Sequence, residues 1–386
     1  MTIVNTITPA AMPLSEFVGW RARRYPDEQH VAISQAVVPD AAMRELAELP
    51  NVLLLPGSAR IRPFLRRVRR TLTELNAGHS RIVVHLHYPR SGIWFHAARL
   101  GLPFPVPVLF TIHSSFARYR TATQVISGMN CVLADHVTFV SQAAAGEFPR
   151  SLRRLGRARY SVVRNGVDLD RVDAALANSG TAPEPGGCQP GGAFRLVHVG
   201  RFRSTTKGQA FLLDVLHRVP DVTASLVGDG PGRVLLEERV RREGLADRVR
   251  FTGLLSREEV YREIDSADLF VSPSVREGMP IAVLEAMAVS KPVLLSDIPP
   301  HREIRRENPQ VTLAPLDVTA WTEAIRRHAL RPAEELRRDG RSNRETVERA
   351  FSLETMHEAY TRLYEQLLRS GQGIVRERYP GGADRS

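Results

Sequence analysis

Lysine and cysteine are almost absent from this chain of 386 residues. Cys131 and Cys188 are its two thiols, too few for a disulfide framework or a four-cysteine zinc site, so redox and structural-zinc chemistry are set aside. Long hydrophobic runs are missing too. Stretches such as Pro105 to Phe110 fall far short of the roughly 20 residues a helix needs to cross a bilayer. The chain opens on the β-like run Thr2 to Ile7, without a basic leader, an apolar stretch and a small-residue cleavage site, and a cytoplasmic protein is expected. No internal repeat occurs at the spacing of solenoids or propellers.

Positive charge is plentiful. Fifty-three basic against 42 acidic residues give a net charge of +11, a field that attracts phosphates, nucleic acid or an anionic membrane without choosing among them. The only lysines among those basic residues are Lys207 and Lys291. A lysine kept in an arginine-dominated chain marks a place where a compact ammonium is needed and a planar guanidinium does not fit. With 43% apolar and 25% charged residues, the composition is that of a globular protein of two or three domains.

Short β-branched runs alternate with segments of helical periodicity, the pattern of βα units wound around parallel sheets. Strands are expected at Ile3–Ile7, Val31–Ser34, Val52–Leu55, Ile82–His87, Val106–Ile112, His136–Val140 and Tyr160–Val163. A second set is expected at Phe194–Val199, Thr223–Val227, Val249–Phe251, Leu269–Val271, Pro292–Ser296 and Val311–Leu313. Between the sets, residues 177–192 are too rich in Gly and Pro to pack a core and read as a linker. The fold class is therefore α/β, with two Rossmann-like domains facing each other across a cleft, where open sheets of this kind bind ligands. The expected domains are 1–176 and 193–352, followed by a C-terminal helix within 353–386 that returns to the first domain before a frayed tail. That helix places Leu353, Met356, Tyr360, Leu363, Tyr364 and Leu367 on one stripe.

The second half carries the chemistry. Strand Leu196–Val199 runs into Gly200, Arg201 and a turn ending in Lys207-Gly208, so a fork-shaped cation and a point charge can meet one anionic group. A solvated basic loop is the plainer alternative. Gly228-Asp229-Gly230-Pro231 is a tight turn that permits close backbone approach. The segment Arg276 to Ala288 places Glu277 before Gly278, Met279, Pro280 and Ile281, and Glu285 eight residues after Glu277. Pro280 is expected at the first helical position, with amides of Gly278 to Ile281 forming an anion cradle. Glu285, inside the helix, is placed to accept hydrogen bonds from sugar hydroxyls, or else is a surface glutamate.

In order and spacing, Gly200-Arg201, Lys207-Gly208, Gly228 to Pro231, Phe251-Thr252-Gly253 and the Glu277–Glu285 pair resemble the donor domain of family 4 glycosyltransferases, which have the GT-B fold. The first half is similar at Ala134 to Ser141, Val162 to Asp168 and Thr111-Ile112-His113-Ser114. It departs after strand one, where Thr8 to Pro13 stands in place of paired glycines. The resemblance implies retaining transfer of a sugar from a nucleoside diphosphate sugar to a hydroxyl of a small-molecule, natural-product or saccharide acceptor, without metal or other cofactor. It gives Arg201 and Lys207 the diphosphate, Glu285 the ribose hydroxyls, Glu277 and His113 the donor sugar, and Leu254 a place near the base. His113, Glu277, Arg201 and Lys207 are the expected catalytic set; Gly228, Gly278, Met279, Pro280 and Ile281 complete the donor site. Lys291 becomes structural. A UDP-sugar is the preferred donor, with UDP, GDP, ADP and TDP the nucleotides to compare. Tyr88, Arg90, Trp94 and Phe116 are expected to line the acceptor pocket.

Three other readings stand beside this one. A sugar-nucleotide epimerase on a similar fold would bind the same donor without an acceptor. The helix at 60–75, with Ile61, Phe64, Leu65, Val68 and Leu72 on one face and six arginines around it, either covers a sheet or lies on an anionic membrane. In the second case the protein is peripheral at the inner membrane face and acts on a lipid-linked acceptor. Asp168-Leu169-Asp170 is the D-x-D triplet that holds a divalent cation in other transferases, but it follows the Asn165-Gly166 turn signal next to the linker. No recognition helix, zinc spacing or aromatic-basic module supports nucleic-acid binding.

Overall fold

A computed structural model of the protein describes residues 1–7, 12–34, 41–57, 60–116, 119–156, 158–177, 193–202 and 205–377. The departure at Thr8 to Ala11, the turn residues Arg203 and Ser204, Cys188, nearly all of the linker and the end of the tail lie outside the described residues.

By internal contacts the chain forms two units, one of 1–163 with the segment from His357, the other Arg164–Met356. In the first, β1 (Thr2–Ile7), α1 (Met12–Arg24), β2 (Gln29–Ser34), α2 (Ala41–Ala47), β3 (Val52–Leu55), α3 (Ile61–Ala77), β4 (Ile82–Leu86), α4 (Pro89–Arg99), β5 (Val108–Ile112), α5 (Thr121–Leu133), β6 (His136–Phe139), α6 (Gln142–Gly146), α7 (Arg150–Leu155) and β7 (Arg159–Val162) follow one another. All seven strands are parallel, in the order β3-β2-β1-β4-β5-β6-β7. Every residue of β4, β5 and β6 is buried, as a parallel sheet covered on both faces requires, and this is why those segments read as continuous apolar runs.

In the second unit come α8 (Leu169–Ala177), β8 (Phe194–Val199), α9 (Gln209–Leu216), β9 (Val222–Val227), α10 (Arg233–Arg242), β10 (Val249–Gly253), α11 (Arg257–Asp265), β11 (Leu269–Ser272), α12 (Ile281–Ala288), β12 (Val293–Ser296), α13 (Pro299–Glu307), β13 (Thr312–Ala314), α14 (Val318–Ala329) and α15 (Ala333–Ala350). Its six parallel strands run β10-β9-β8-β11-β12-β13. The contact-defined break falls after Val163, so α8 sits in this unit; Arg171 on α8 pairs with Glu258 on α11 at 2.7 Å.

The last helix, α16 (Leu353–Glu377), belongs to the first unit from His357 onward. Five residues of its stripe, Leu353, Met356, Tyr360, Tyr364 and Leu367, are buried and Leu363 is half-buried, with Tyr360 and Tyr364 packed around His85. Strand order also fixes where ligands go. In each sheet the chain reverses direction beside its first strand, between β1 and β4 and between β8 and β11, and the loops at such a switch point splay apart at the carboxyl ends.

The basic helix α3 is a sheet-covering helix. Val68 and Leu72 are buried, Phe64, Leu65 and Leu75 pack on the same core, and Arg66, Arg67, Arg69 and Arg70 face solvent. Asp168 is occupied locally, its carboxylate accepting from the Arg171 N–H at the start of α8. Among the described residues no group of three His, Cys, Asp or Glu is placed to hold a metal, and no helix is long and apolar enough to cross a membrane.

Candidate active site

At the β8/β11 switch point the backbone is drawn close by glycine. Gly200 N–H donates to Val227 O at 2.9 Å and Phe202 N–H to Asp229 O at 3.0 Å. Gly228 has φ +130° and a Cβ there would overlap Gly200 O. Gly208 has φ +74° and a Cβ would overlap Pro273 O, while Val275 N–H donates to Thr206 O at 2.9 Å. Only glycine fits either position. The turn after β8 is thereby stitched to the loop after β11.

That stitching brings together two residues 70 apart in sequence. Lys207 Nζ donates to Glu277 Oε1 at 2.7 Å, and Ser274 Oγ donates to the same oxygen at 2.7 Å. Glu277 is only 8% exposed. Burial pushes its carboxyl up, but the Lys207 ammonium and the hydrogen bonds from Lys207 and Ser274 outweigh it, and the group is held below the usual carboxylate range. An ionised carboxylate thus orients a lysine that keeps two further N–H groups for a ligand.

Arg201 is exposed on the same turn and forms no ion pair with a described residue. Gly278, Met279 and Pro280 are buried, and Pro280 is the N-cap of α12 rather than its first helical residue, with φ −80° and ψ 93°. Extended ψ there lets Pro280 O receive the N–H groups of Val283 and Leu284, which starts the helix at Ile281. Glu285 is buried on α12, which excludes the surface-glutamate reading, and it accepts from Arg257 at the first position of α11. The Ser256–Glu259 capping box fixes that helix start and so aims Arg257. Leu254 is 79% exposed just beyond β10. Lys291 is structural, paired with Asp265 at 3.0 Å.

Two histidines at this site escaped the sequence reading. His198, near the end of β8, donates from Nδ1 to Val271 O at 3.0 Å, and its buried Nε2 has no partner among the described residues. A Cβ on Gly200 would stand 3.2 Å from that nitrogen and 3.4 Å from the Lys207 stem. His301 on α13 donates from Nδ1 to Ser296 O at 2.7 Å, again with Nε2 unpartnered. Burial lowers both to about 4, outweighing the backbone hydrogen bonds that favour the charged rings, so each presents a neutral lone pair at pH 7. The signal available in the sequence was a polar residue inside an apolar strand, Val197-His198-Val199.

In the first unit, His113 follows β5 and shares a proton with His87, Nε2 to Nδ1 at 3.1 Å. Burial lowers His113 to about 4, so the ring is neutral. The Tyr88 ring lies 6.5 Å from it. Arg90 and Trp94 are exposed on α4. Phe116 is instead a core residue, edge-on to Phe148 at 5.1 Å, with only 7% of it left exposed.

Comparison with known proteins places the chain in a family. The model of glycosyl transferases group 1 matches residues 193–329 and that of Glycosyltransferase Family 4 matches residues 22–171. The protein is a family 4 glycosyltransferase. Among curated relatives, the putative glycosyltransferase EpsF of Bacillus subtilis is 29% identical over 61% of this chain and 61% of its own length. The 2-deoxystreptamine glucosyltransferase of Streptomyces kanamyceticus is 32% identical over 51% of this chain and 54% of its own. The chain thus spans between half and two thirds of the length of these two relatives. A solved structure of Anabaena HepE with UDP and glucose superposes with a TM-score of 0.74 at 19% identity, covering 95% of this chain and 99% of that one. The family 4 member described here has the two Rossmann-like units of the GT-B architecture.

Proposed function

We propose that this family 4 enzyme transfers a sugar, with retention of anomeric configuration and without a metal, from a nucleoside diphosphate sugar to a hydroxyl of a natural-product or saccharide acceptor. UDP-sugar is the proposed donor, in line with the ligands named for HepE. The observation that carries the reading is the Lys207–Glu277 pair at the β8/β11 switch point. Lys207 has N–H groups to spare, and Arg201 adds an exposed guanidinium on the same turn.

In this reaction the bond from the anomeric carbon to the diphosphate breaks while the bond to the acceptor oxygen forms on the same face. The acceptor proton passes to the released phosphate oxygen, so glycoside and nucleoside diphosphate are the products. Lys207, Arg201 and the amides at the start of α12 stabilise the growing charge of the leaving group. Glu277 holds Lys207 and meets the donor sugar; with Oε1 engaged by Lys207 and Ser274, it is not assigned as a nucleophile. Glu285 takes the ribose hydroxyls beside Arg257. We assign His113, a neutral imidazole, to the donor sugar, and Tyr88, Arg90 and Trp94 to the acceptor. The aminocyclitol named for the Streptomyces kanamyceticus relative makes polyhydroxylated soluble acceptors the first class to assay.

Calorimetry with UDP, GDP, ADP and TDP tests the reading. One nucleotide is expected to bind, with loss of most of that affinity in Lys207→Met and Arg201→Met. Absence of heat with all four would overturn it. Release of an altered sugar nucleotide from donor alone, with no acceptor present, would assign an epimerase instead.

A further inference from the structure

One surface of the first unit is built unlike the rest. Helix α5, Thr-Ala-Thr-Gln-Val-Ile-Ser-Gly-Met-Asn-Cys-Val-Leu, contains no charged residue in 13 positions. Its inner face is held by Asn130, which donates to Pro89 O and Ile126 O at 2.8 Å, and by buried Cys131. Its outer face turns apolar side chains to solvent at helical spacing: Val125 is 60% exposed, Met129 49%, Val132 39% and Leu133 40%. Helix α7 runs beside it, with Leu152 against Gly128 and Gly156 against the Val132 backbone. Together with Phe116 and Gln124 these residues line an apolar groove of about 540 Å³. Leu155, at the end of α7, is 69% exposed. Exposed aliphatic side chains are ordinary singly; a contiguous group on an uncharged helix marks a contact surface.

The charge around the groove identifies what it contacts. Arg120 at the N-cap of α5 and Arg150 and Arg154 on α7 are exposed, and none pairs with a carboxylate among the described residues. The carboxylates nearby in sequence are engaged: Asp135 accepts from the Val108 N–H at 2.8 Å and Glu147 from Ser115. A second copy of the chain would meet this face through a two-fold axis, setting the arginine rim against itself. An anionic surface has no such conflict. We propose that the α5–α7 face docks the enzyme on an anionic lipid surface, with α5 lying in the plane of the headgroups, Val125, Met129, Val132 and Leu155 entering the acyl boundary, and Arg120, Arg150 and Arg154 pairing with lipid phosphates. This is the arrangement of an interfacial helix with a basic flank. It moves the membrane contact from α3, whose apolar stripe is covered by the sheet, to the helix whose stripe is bare. The inference concerns where the enzyme works and stands apart from the donor assignment.

Flotation with 100 nm vesicles of phosphatidylcholine and phosphatidylglycerol in equal parts tests it, against vesicles of phosphatidylcholine alone. The full chain is expected to float with the anionic vesicles only and to be released by high salt. Arg150→Ser/Arg154→Ser is expected to weaken binding on the order of 30-fold, at about fivefold per arginine near such a surface. Val125→Ser/Met129→Ser is expected to weaken it while leaving the circular dichroism spectrum unchanged and the thermal midpoint within a few degrees, since about half of each residue is already in solvent. No flotation at low salt, or flotation untouched by both pairs, would overturn the proposal. So would a dimer in sedimentation velocity that Val125→Ser/Met129→Ser converts to monomer, which would give the face to a second copy.

Discussion

Replacing Lys207 by methionine separates the two things the lysine does. It leaves Glu277, 8% exposed, as a buried carboxylate without its cation. Removing one partner of a buried pair costs about 3–5 kcal/mol. Because the Lys207 side chain is itself 25% exposed, screening places the expectation at the low end, about 3 kcal/mol. For a unit of this size that corresponds to a fall in Tm of about 6–12 °C. The deficit carries a pH signature. In the native protein Glu277 is held low, so its contribution is present above the unfolded carboxyl range and is lost as pH falls. Without the ammonium, burial raises the group, and the variant loses stability as pH rises through that raised value. The difference between the two proteins is therefore largest near pH 7–8 and narrows towards pH 5. Nucleotide affinity is expected to fall about 10- to 150-fold, the value of a charge-assisted hydrogen bond at about 1.5–3 kcal/mol. Glu277→Gln leaves nucleotide affinity unchanged or tighter, because the lysine is released to the ligand, and Lys207→Met/Glu277→Gln regains most of the lost Tm. Differential scanning calorimetry across pH and titration calorimetry read both effects. Equal losses of nucleotide affinity in Lys207→Met and Glu277→Gln would refute the argument, since the pair would then be a structural unit and not a lysine presented to a ligand.

Four further outcomes follow from the same structure. Gly208→Ala combines a strained φ of +74° with overlap against Pro273 O and is expected to cost about 2–5 kcal/mol, measured by urea unfolding; a change under 1 kcal/mol would contradict the close approach. Arg257→Ala strands Glu285 and is expected to destabilise by about 3 kcal/mol, with partial rescue by Glu285→Gln and no rescue if the pair is incidental. Acid stability is set by histidines that burial keeps neutral: His30, His113, His136, His198 and His301 are lowered to about 4 and His96 to about 3. Their contribution is complete above the unfolded value near 6.5 and falls as pH drops towards 4, each adding a slope of up to about 1.4 kcal/mol per pH unit. Unfolding above pH 5, with uptake of several protons by potentiometry, is the expected result; a native protein at pH 4 would refute it. Transfer activity is expected to survive EDTA, because Asp168 of the D-x-D triplet caps α8; loss restored by Mg²⁺ or Mn²⁺ would reverse that.

Much of the architecture was present in local sequence. Each expected strand corresponds to an observed one: the central strands are buried on both faces and need unbroken apolar runs, and βα alternation spaces the partly exposed edge strands β3, β7, β10 and β13. The glycines at 208 and 228 were legible for a similar reason: a backbone with positive φ and no room for Cβ admits one residue type. Lys207 stood out only because lysine is otherwise scarce, and its counterpart Lys291 shows that scarcity by itself does not separate a ligand group from a structural one. Strand order was not legible. Nothing local to β8 says that β11 and not β9 will carry the residue facing Lys207, and the 70-residue gap to Glu277 is closed by the switch in winding. Ser274, His198 and Arg257 came to light the same way, since a hydrogen-bond partner is chosen by three-dimensional proximity and leaves no periodic trace.

Helical amphipathicity showed the same division. The stripes on α3 and α16 announced apolar faces without saying what would cover them, and nothing in the uncharged run of α5 said that its outer side chains would meet solvent. Periodicity determined that these segments are helices and which residues share a face. Only the packed structure decided which faces are covered, because burial depends on what the rest of the chain places opposite.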